Sequence, residues 1–221
     1  MDPGDGVIEL QGVSKWYRIR GHRHWVLRDV SCAFPRRQSV GILGRNGVGK
    51  STLVRLLGGT EAPNAGRIVR RVRVSWPLGL GGSFQGSLTG RENVRFVARI
   101  YDLEFERIMA FVEEFSELGR FLNEPVATYS SGMRAKFAFG VSVAVDFDVY
   151  LIDELTAVGD ADFKRKCEAV LAERREQATT IVVSHSPKTI RKLCQQVALL
   201  RDAALHWYDD VEAGIAAYEA A

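Results

Sequence analysis

The residues best suited to chemistry form one short run that reads Gly-Arg-Asn-Gly-Val-Gly-Lys-Ser-Thr. It fills every fixed position of G-x-x-x-x-G-K-[ST], a pattern in which backbone amides surround a polyphosphate at the start of a helix. Lys50 adds a mobile positive charge for the β- and γ-phosphates, and the Ser51 hydroxyl is a suitable Mg²⁺ ligand. A chance match in a glycine-rich loop is the alternative. The candidate nucleotide-binding residues are Gly44, Arg45, Asn46, Gly47, Val48, Gly49, Lys50, Ser51 and Thr52.

Two adjacent carboxylates, Asp153 and Glu154, directly follow the apolar segment 149–152. Acidic groups at the end of a buried strand are costly unless a metal or a water molecule uses them. In a protein with a phosphate loop, the first carboxylate lies near Mg²⁺ and the second polarises an attacking water. The alternative is an acidic pair that faces only solvent.

Three further positions have both a chemical and a structural interpretation. His185 follows the buried segment 179–184 and could reach a phosphate, although a single histidine is more often structural. The segment 129–133 reads Tyr-Ser-Ser-Gly-Met and precedes a helical pattern, so it is either a second anion site or an ordinary serine cap. Trp16 or Tyr17 could stack on a purine, or one ring could pack in a small sheet. The residues alone do not decide between the two rings.

The elements that must position these residues follow from their hydrophobic periodicity. Ser39–Leu43 has the pattern of a buried strand and Lys50–Leu57 that of the next helix. We expect strands at 7–10 and 26–34 with a basic loop at 18–23 between them, one strand at 68–76, and a final strand at Gln196–Arg201. Strands that alternate with helices around a phosphate loop indicate a parallel α/β sheet. A helical lobe is expected at about 86–145, and a helix within it is expected to begin at the Thr89–Glu92 capping box.

Composition excludes several classes of protein. The net charge is only +3, so a nucleic-acid partner is not demanded. The three cysteines are widely spaced and contain no C-x-x-C pair, which favours buried thiols over disulfides or a zinc site. The N-terminus lacks the basic and apolar regions of a signal peptide. The longest apolar stretch, 137–145, is far shorter than the ~20 residues of a membrane-spanning helix.

The order of these motifs resembles that of ABC transporter nucleotide-binding subunits over essentially the whole chain. The resemblance implies one ABC ATP-binding domain at 1–221, with a P-loop NTPase fold. Its parts would be a mostly parallel core sheet, a small antiparallel β subdomain and an inserted helical subdomain. The implied ligands are ATP and Mg²⁺, and the implied assembly is a dimer of two copies.

The resemblance also implies individual roles. Tyr17 matches the aromatic residue that stacks on adenine, and residues 44–52 match the Walker A loop. Asp153 matches the Mg²⁺ ligand of Walker B, Glu154 the catalytic glutamate and His185 the switch histidine. The residues that match contacts to the ATP of the opposite subunit are Ser130, Ser131, Gly132 and Asp160.

Two departures bear on those roles. The signature usually reads Leu-Ser-Gly-Gly-Gln, but here Ser131 replaces a glycine and Met133 replaces the glutamine, so the contact to the opposite subunit could be looser. A glutamine usually follows the strand that ends near Trp76, whereas Gln85 lies further along the loop. Whether Gln85 reaches Mg²⁺ is therefore open.

The segments 75–78, 84–90, 115–118, 124–126 and 129–133 resemble the capsular polysaccharide export ATPases of Gram-negative bacteria. That resemblance implies a peripheral position on the cytoplasmic face of the inner membrane. It also implies a polytopic permease dimer and periplasmic and outer-membrane capsule export proteins as partners, with no nucleic acid. The alternatives are export of O-antigen or teichoic acid, a soluble ABC ATPase that acts on nucleic acid or ribosomes, and a regulatory module that does not hydrolyse ATP.

Overall fold

The computed structural model describes residues 6–78, 84–153 and 161–220. The chain divides into two compact units. The first comprises Met1–Pro77, Phe147–Glu154 and Arg175–Ala221, and the second comprises Leu78–Asp146 and Leu155–Arg174. The elements in chain order are β1 (Ile8–Ile19), β2 (His22–Phe34), β3 (Ser39–Leu43), α1 (Lys50–Leu57), β4 (Ala65–Arg70), β5 (Val74–Leu78), α2 (Gly90–Ile100), α3 (Phe105–Ser116), α4 (Ser131–Ala144), β6 (Val149–Asp153), α5 (Ala161–Gln177), β7 (Thr179–Val183), α6 (Pro187–Leu193), β8 (Gln196–Arg201), β9 (Ala204–Tyr208) and α7 (Val211–Glu219).

The main sheet has the strand order β5-β6-β7-β3-β8-β9 within the described residues. The neighbouring pairs β6–β7, β7–β3 and β3–β8 are parallel, and β9 runs antiparallel to β8. All five residues of β3 are buried, as are the aliphatic side chains of α1 that pack in the same core. Burying each such side chain contributes roughly 1.5–3 kcal/mol to the free energy of folding. The expected bounds of β3 and α1 and the parallel core are confirmed.

A smaller antiparallel sheet has the order β2-β1-β4. The expectation of a basic loop at 18–23 is wrong, because β1 continues to Ile19 and β2 already begins at His22. Arg20 and Gly21 form the turn, with φ of 49° and 84°. Two positive φ values suit a tight hairpin. Charge misled the prediction because the arginines lie on exposed strand positions, where Arg23 covers the Trp16 ring at 4.8 Å.

Two other strand predictions are wrong because a break between strands was missed. The segment 68–76 is not one strand but the end of β4 and the start of β5, which belong to different sheets. Gln196–Arg201 is not the final strand, because β9 follows after a turn at Asp202 and Ala203, with φ of 52° and 59°. That turn contains no glycine or proline, so the sequence carried no strong turn signal there.

The second unit is helical in its described part. Helix α2 begins with the expected capping box, in which the Thr89 hydroxyl accepts from the Glu92 amide and Glu92 accepts in return. Phe115 of α3 packs against Phe139 of α4 and Phe163 of α5, with ring centroids 5.7 and 5.4 Å away. The helical subdomain was expected at 86–145. The second unit covers nearly the same range, Leu78–Asp146, and also includes most of α5.

None of the helices in the described ranges combines the length and apolarity that crossing a bilayer requires. The three cysteines form no disulfide. Burial raises the pKa of Cys32 to about 11 and those of Cys167 and Cys194 to about 12, so all three are neutral thiols at physiological pH. A neutral thiol is a poor nucleophile, which leaves the cysteines outside the candidate chemistry.

Candidate functional site

The site lies where three parallel strands of the first unit end. Strand β3 lies next to β7, and β7 lies next to β6. Ile42 is level with Val183, and Val183 is level with Asp153, so all three strands end together. The carboxyl ends of parallel strands share one edge of a sheet, and such an edge is where α/β proteins bind ligands.

The phosphate loop after β3 needs glycine where it approaches its neighbours. Gly49 has a φ of 111°, and a Cβ added there would lie 2.3 Å from Cγ1 of Val26. A Cβ on Gly44 would lie 2.8 Å from the carbonyl oxygen of Leu200. A side chain at Gly49 would therefore combine backbone strain with overlap.

At the start of helix α1, no capping side chain occupies the first backbone amides. Its N-cap is Gly49, which has no side chain to cap the first turn, and that turn contains no acidic residue. The exposed amides and the helix dipole both favour an anion there. Lys50 Nζ donates to the carbonyl oxygens of Gly44 at 2.7 Å and Arg45 at 3.1 Å, so the ammonium group lies against the loop.

A cleft of about 390 Å³ joins the phosphate loop to the ends of β6 and β7. It brings together three features that the sequence singled out separately, namely the phosphate loop with Lys50, Asp153 after its apolar segment, and His185. Ser184, which sequence reasoning missed, also lines it. Its position at the end of the strand beside β3 was the signal that could have found it. The cleft is lined by Asn46, Gly47, Gly49, Lys50, Ser51, Thr52, Asp153, Val183, Ser184 and His185.

Tyr17 lies in the same unit and is held by polar contacts at its hydroxyl. The ring is half-buried against the hydrophobic core, and the hydroxyl donates to Glu61 Oε1 at 2.5 Å. The Tyr17 oxygen is 3.3 Å from Thr52 Oγ1, on a residue that lines the cleft. Trp16 instead packs against Trp25, with ring centroids 5.0 Å apart. Of the two aromatic candidates, Tyr17 is the one tied to the phosphate loop.

Glu61 was not singled out from the sequence, where it falls in a turn-rich segment. Burial opposes its charge, but hydrogen bonds from Lys15, Tyr17 and Arg55 outweigh that cost and lower the pKa of Glu61 to about 2. The carboxylate is therefore ionised at physiological pH. No local pattern could have revealed it, because its partners Lys15 and Tyr17 lie more than 40 positions earlier in the chain.

The candidates that belong to the second unit have different surroundings. Ser130 is the N-cap of α4 and accepts from the Met133 amide at 3.2 Å, so the structural interpretation of this serine is satisfied. Ser130 and Ser131 are exposed, and a Cβ added at Gly132 would meet nothing within 4 Å. Gln85 is exposed and donates to Ser87 Oγ at 3.0 Å.

Glu154 and Asp160 lie outside the described residues, so their roles stay predictions.

Comparison with known proteins decides the family. The family model for "ABC transporter" matches residues 27–157. The chain belongs to the ABC transporter family. It is 44% identical over 216 residues to the polysialic acid transport ATP-binding protein KpsT of Escherichia coli, with 96% of each chain covered. It is 47% identical to the capsule polysaccharide export ATP-binding protein CtrD of Neisseria meningitidis serogroup B, covering 93% of this chain and 95% of CtrD.

A solved structure supports the fold. The dimeric ATP-binding cassette MJ0796 in a post-hydrolysis state with ADP and Pi matches with a TM-score of 0.76. It covers 91% of this chain and 97% of that chain at 21% identity. Membership in the ABC transporter family makes this chain an ABC ATPase that binds and hydrolyses ATP.

The cleft also fits a divalent cation. Ser51 and Asp153, a hydroxyl and a carboxylate, both line it, and oxygen ligands of this kind suit Mg²⁺. In the described ranges no group of three or more His, Cys, Asp or Glu side chains could hold a metal ion. With one hydroxyl and one carboxylate from the protein, the other Mg²⁺ ligands would be phosphate oxygens and water, as is usual at nucleotide sites.

Proposed function

We propose that this chain is the ATP-hydrolysing subunit of an exporter that moves capsular polysaccharide across the inner membrane. The observation that carries the proposal is identity of 44–47% along more than nine-tenths of the chain to proteins named for polysialic acid and capsule export. The cleft supports the proposal, because Lys50, Ser51, Asp153 and His185 all line it.

Within one subunit we assign the roles as follows. The loop amides and Lys50 hold the β- and γ-phosphates, and their positive charge opposes the charge that spreads over the transferring phosphoryl group. Ser51 and Asp153 hold Mg²⁺, which neutralises phosphate charge when bound. Glu154 orients the attacking water, His185 contacts the γ-phosphate, and Tyr17 stacks on the adenine. Gln85 remains a candidate ligand of Mg²⁺.

A second copy of the chain would complete the site. Ser130, Ser131 and Gly132 would bind the γ-phosphate held by the opposite copy, with Asp160 at the dimer interface. Exposed hydroxyls at the start of α4, beside a glycine with open space, support this assignment. Because neither half-site is complete alone, hydrolysis would be coupled to closure of the pair.

Closure would drive two permease chains at the membrane, with this subunit bound peripherally on the cytoplasmic face. The loop that ends at Ser87 would transmit the movement. Periplasmic and outer-membrane export proteins would carry the polysaccharide onward. The similarity to KpsT and CtrD supports these partners.

The biochemical test is Glu154→Gln in the purified complex with its permease. We expect ATP binding to be retained while turnover is abolished, since the amide cannot polarise water as the carboxylate does. An undiminished rate would remove Glu154 from its role.

The test of the transported substrate is a deletion strain complemented with the wild-type or the Lys50→Ala chain. We expect capsule to disappear from the surface and to return only with the wild-type chain. Loss of O-antigen or of teichoic acid, with intact capsule, would replace the proposed substrate while keeping the ATPase.

A further inference from the structure

Glu61 is the centre of a polar network that joins β1 to α1. Its Oε1 atom accepts from the Tyr17 hydroxyl at 2.5 Å and from Lys15 Nζ at 2.7 Å. Its Oε2 atom accepts from Arg55 Nε at 2.9 Å. The side chains of Glu61 and Lys15 are only 19% and 9% exposed, so the ion pair is held away from bulk water. Charge-assisted bonds in such surroundings are strong and directional.

The same network fixes the position of the Tyr17 ring. Arg55 Nη2 lies 3.3 Å from the Tyr17 oxygen, so the hydroxyl donates to Glu61 and accepts from Arg55. Lys15 Nζ lies 5.2 Å from the ring centroid, within range of a cation–π contact. Contacts at the hydroxyl and over the ring leave Tyr17 little freedom to rotate.

The network also reaches the phosphate side of the site. Arg55 Nη2 donates to Thr52 Oγ1 at 3.1 Å, and Thr52 is a buried residue that lines the cleft. Arg55 and Thr52 belong to α1, whereas Tyr17 belongs to β1. Glu61 therefore connects the aromatic ring on one element to the phosphate-binding helix on another.

We propose that Glu61 is a positioning residue that sets the distance and angle between the Tyr17 ring and the phosphate cleft. The Tyr17 ring and the phosphate cleft would then already be spaced to bind the adenine and the triphosphate of one ATP. Preorganisation of this kind improves affinity because less freedom is lost on binding. The inference rests on the proposed role of Tyr17 in receiving the adenine.

The test compares MgATP with magnesium tripolyphosphate, which has the phosphates but no base. Dissociation constants of both are measured for the full-length chain and for its Glu61→Gln and Tyr17→Phe variants. We expect each variant to weaken MgATP binding about 3- to 10-fold, the range for loss of a hydrogen bond that orients a group. Tripolyphosphate affinity should stay within about twofold, since neither variant replaces a residue that lines the cleft.

Glu9→Gln is a matched control in the same unit. Glu9 is 4% exposed and pairs with Arg71 at 3.2 Å, so it is also a buried carboxylate with a guanidinium partner. It lies outside the Tyr17 network and bonds Gln11 and Arg71 instead. We expect this variant to lower thermal stability without changing the ratio of the two dissociation constants. If Glu61→Gln behaves in the same way, Glu61 has only a structural role and the inference is overturned.

Two further variants separate this inference from the proposed function. If Tyr17→Ala leaves the ratio unchanged, Tyr17 does not receive the base, and both the stacking role and the inference fail. If Tyr17→Ala changes the ratio and Glu61→Gln does not, stacking stands and only the inference fails. In a Tyr17→Phe background, Glu61→Gln should weaken MgATP binding less than it does in the wild type, because part of its effect acts through the hydroxyl. An additive effect would contradict that route.

Discussion

The two groups of candidate ATP ligands differ in how closely their surroundings confine them. In the first unit, a Cβ at Gly49 of the phosphate loop would overlap Val26, and the loop lines one cleft together with the ends of β6 and β7. In the second unit, Ser130 is exposed and Gly132 has open space beyond its Cα. The first group lines a cleft within its own unit, whereas the second consists of small residues at an exposed helix start. This difference is what the proposed sharing of ATP between two copies would require.

The largest expected effect separates binding from hydrolysis. Lys50→Ala should weaken MgATP binding to the isolated chain by about 10-fold or more and reduce hydrolysis to background, since a charge-assisted contact to phosphate is lost. Ser130→Arg should leave binding to the isolated chain within about twofold, because it changes an exposed position. It should still abolish hydrolysis. Equilibrium binding and phosphate release assays measure both quantities. Equal loss of binding in the two variants would contradict a divided site.

The next effect concerns stability. Gly49→Ala should lower the free energy of unfolding by about 1–3 kcal/mol, because a side chain at a φ of 111° is strained and would overlap Val26. Gly132→Ala should leave it within about 0.5 kcal/mol or raise it slightly, since alanine favours a helix and the space is open. Denaturant unfolding of both variants provides the comparison. A similar loss in both would mean that the two regions are equally confined.

The smallest effect is a pH dependence that should be larger in the first unit. The pKa of Glu61 is about 2 in the folded chain and roughly 4.3 when unfolded, so its folded pKa is depressed. Its stabilising contribution is therefore fully present above about pH 4.5 and is lost as the pH falls towards 2. In the second unit, a hydrogen bond from the Thr89 amide also lowers the pKa of Glu92, but that residue is fully exposed.

Acid unfolding of the wild type, Glu61→Gln and Glu92→Gln measures this dependence. The stability difference between wild type and Glu61→Gln should shrink between pH 4.5 and pH 2, and more than it does for Glu92→Gln. A constant difference would mean that Glu61 is not held as a low-pKa carboxylate.

The sequence predicted those parts of the site that depend on short local patterns. The phosphate loop, the strand before it and the helix after it were all located because glycine spacing and apolar runs are local signals. Asp153 and His185 were singled out because each stands at the carboxyl end of a buried strand, and both line the cleft with Lys50.

The rest depended on contacts that no local pattern encodes. The hairpin at Arg20 and Gly21 was hidden by its charge, and β9 by a turn without glycine or proline. Glu61 lies in a turn and gains its importance only because the sheet brings Tyr17 beside it, 44 positions away along the chain. Glu154 and Asp160 remain predictions from resemblance alone.

The central claim, that two copies share each ATP, is tested most directly by the molar mass of the Glu154→Gln chain in solution. This variant should bind MgATP without hydrolysing it, and light scattering should show a change from 24.6 kDa to about twice that value on addition of MgATP. Adding Ser130→Arg to the same chain should return the mass to 24.6 kDa while ATP remains bound. A dimer that forms equally well with Ser130→Arg, or ATP held by a monomer whose mass never changes, would contradict the account.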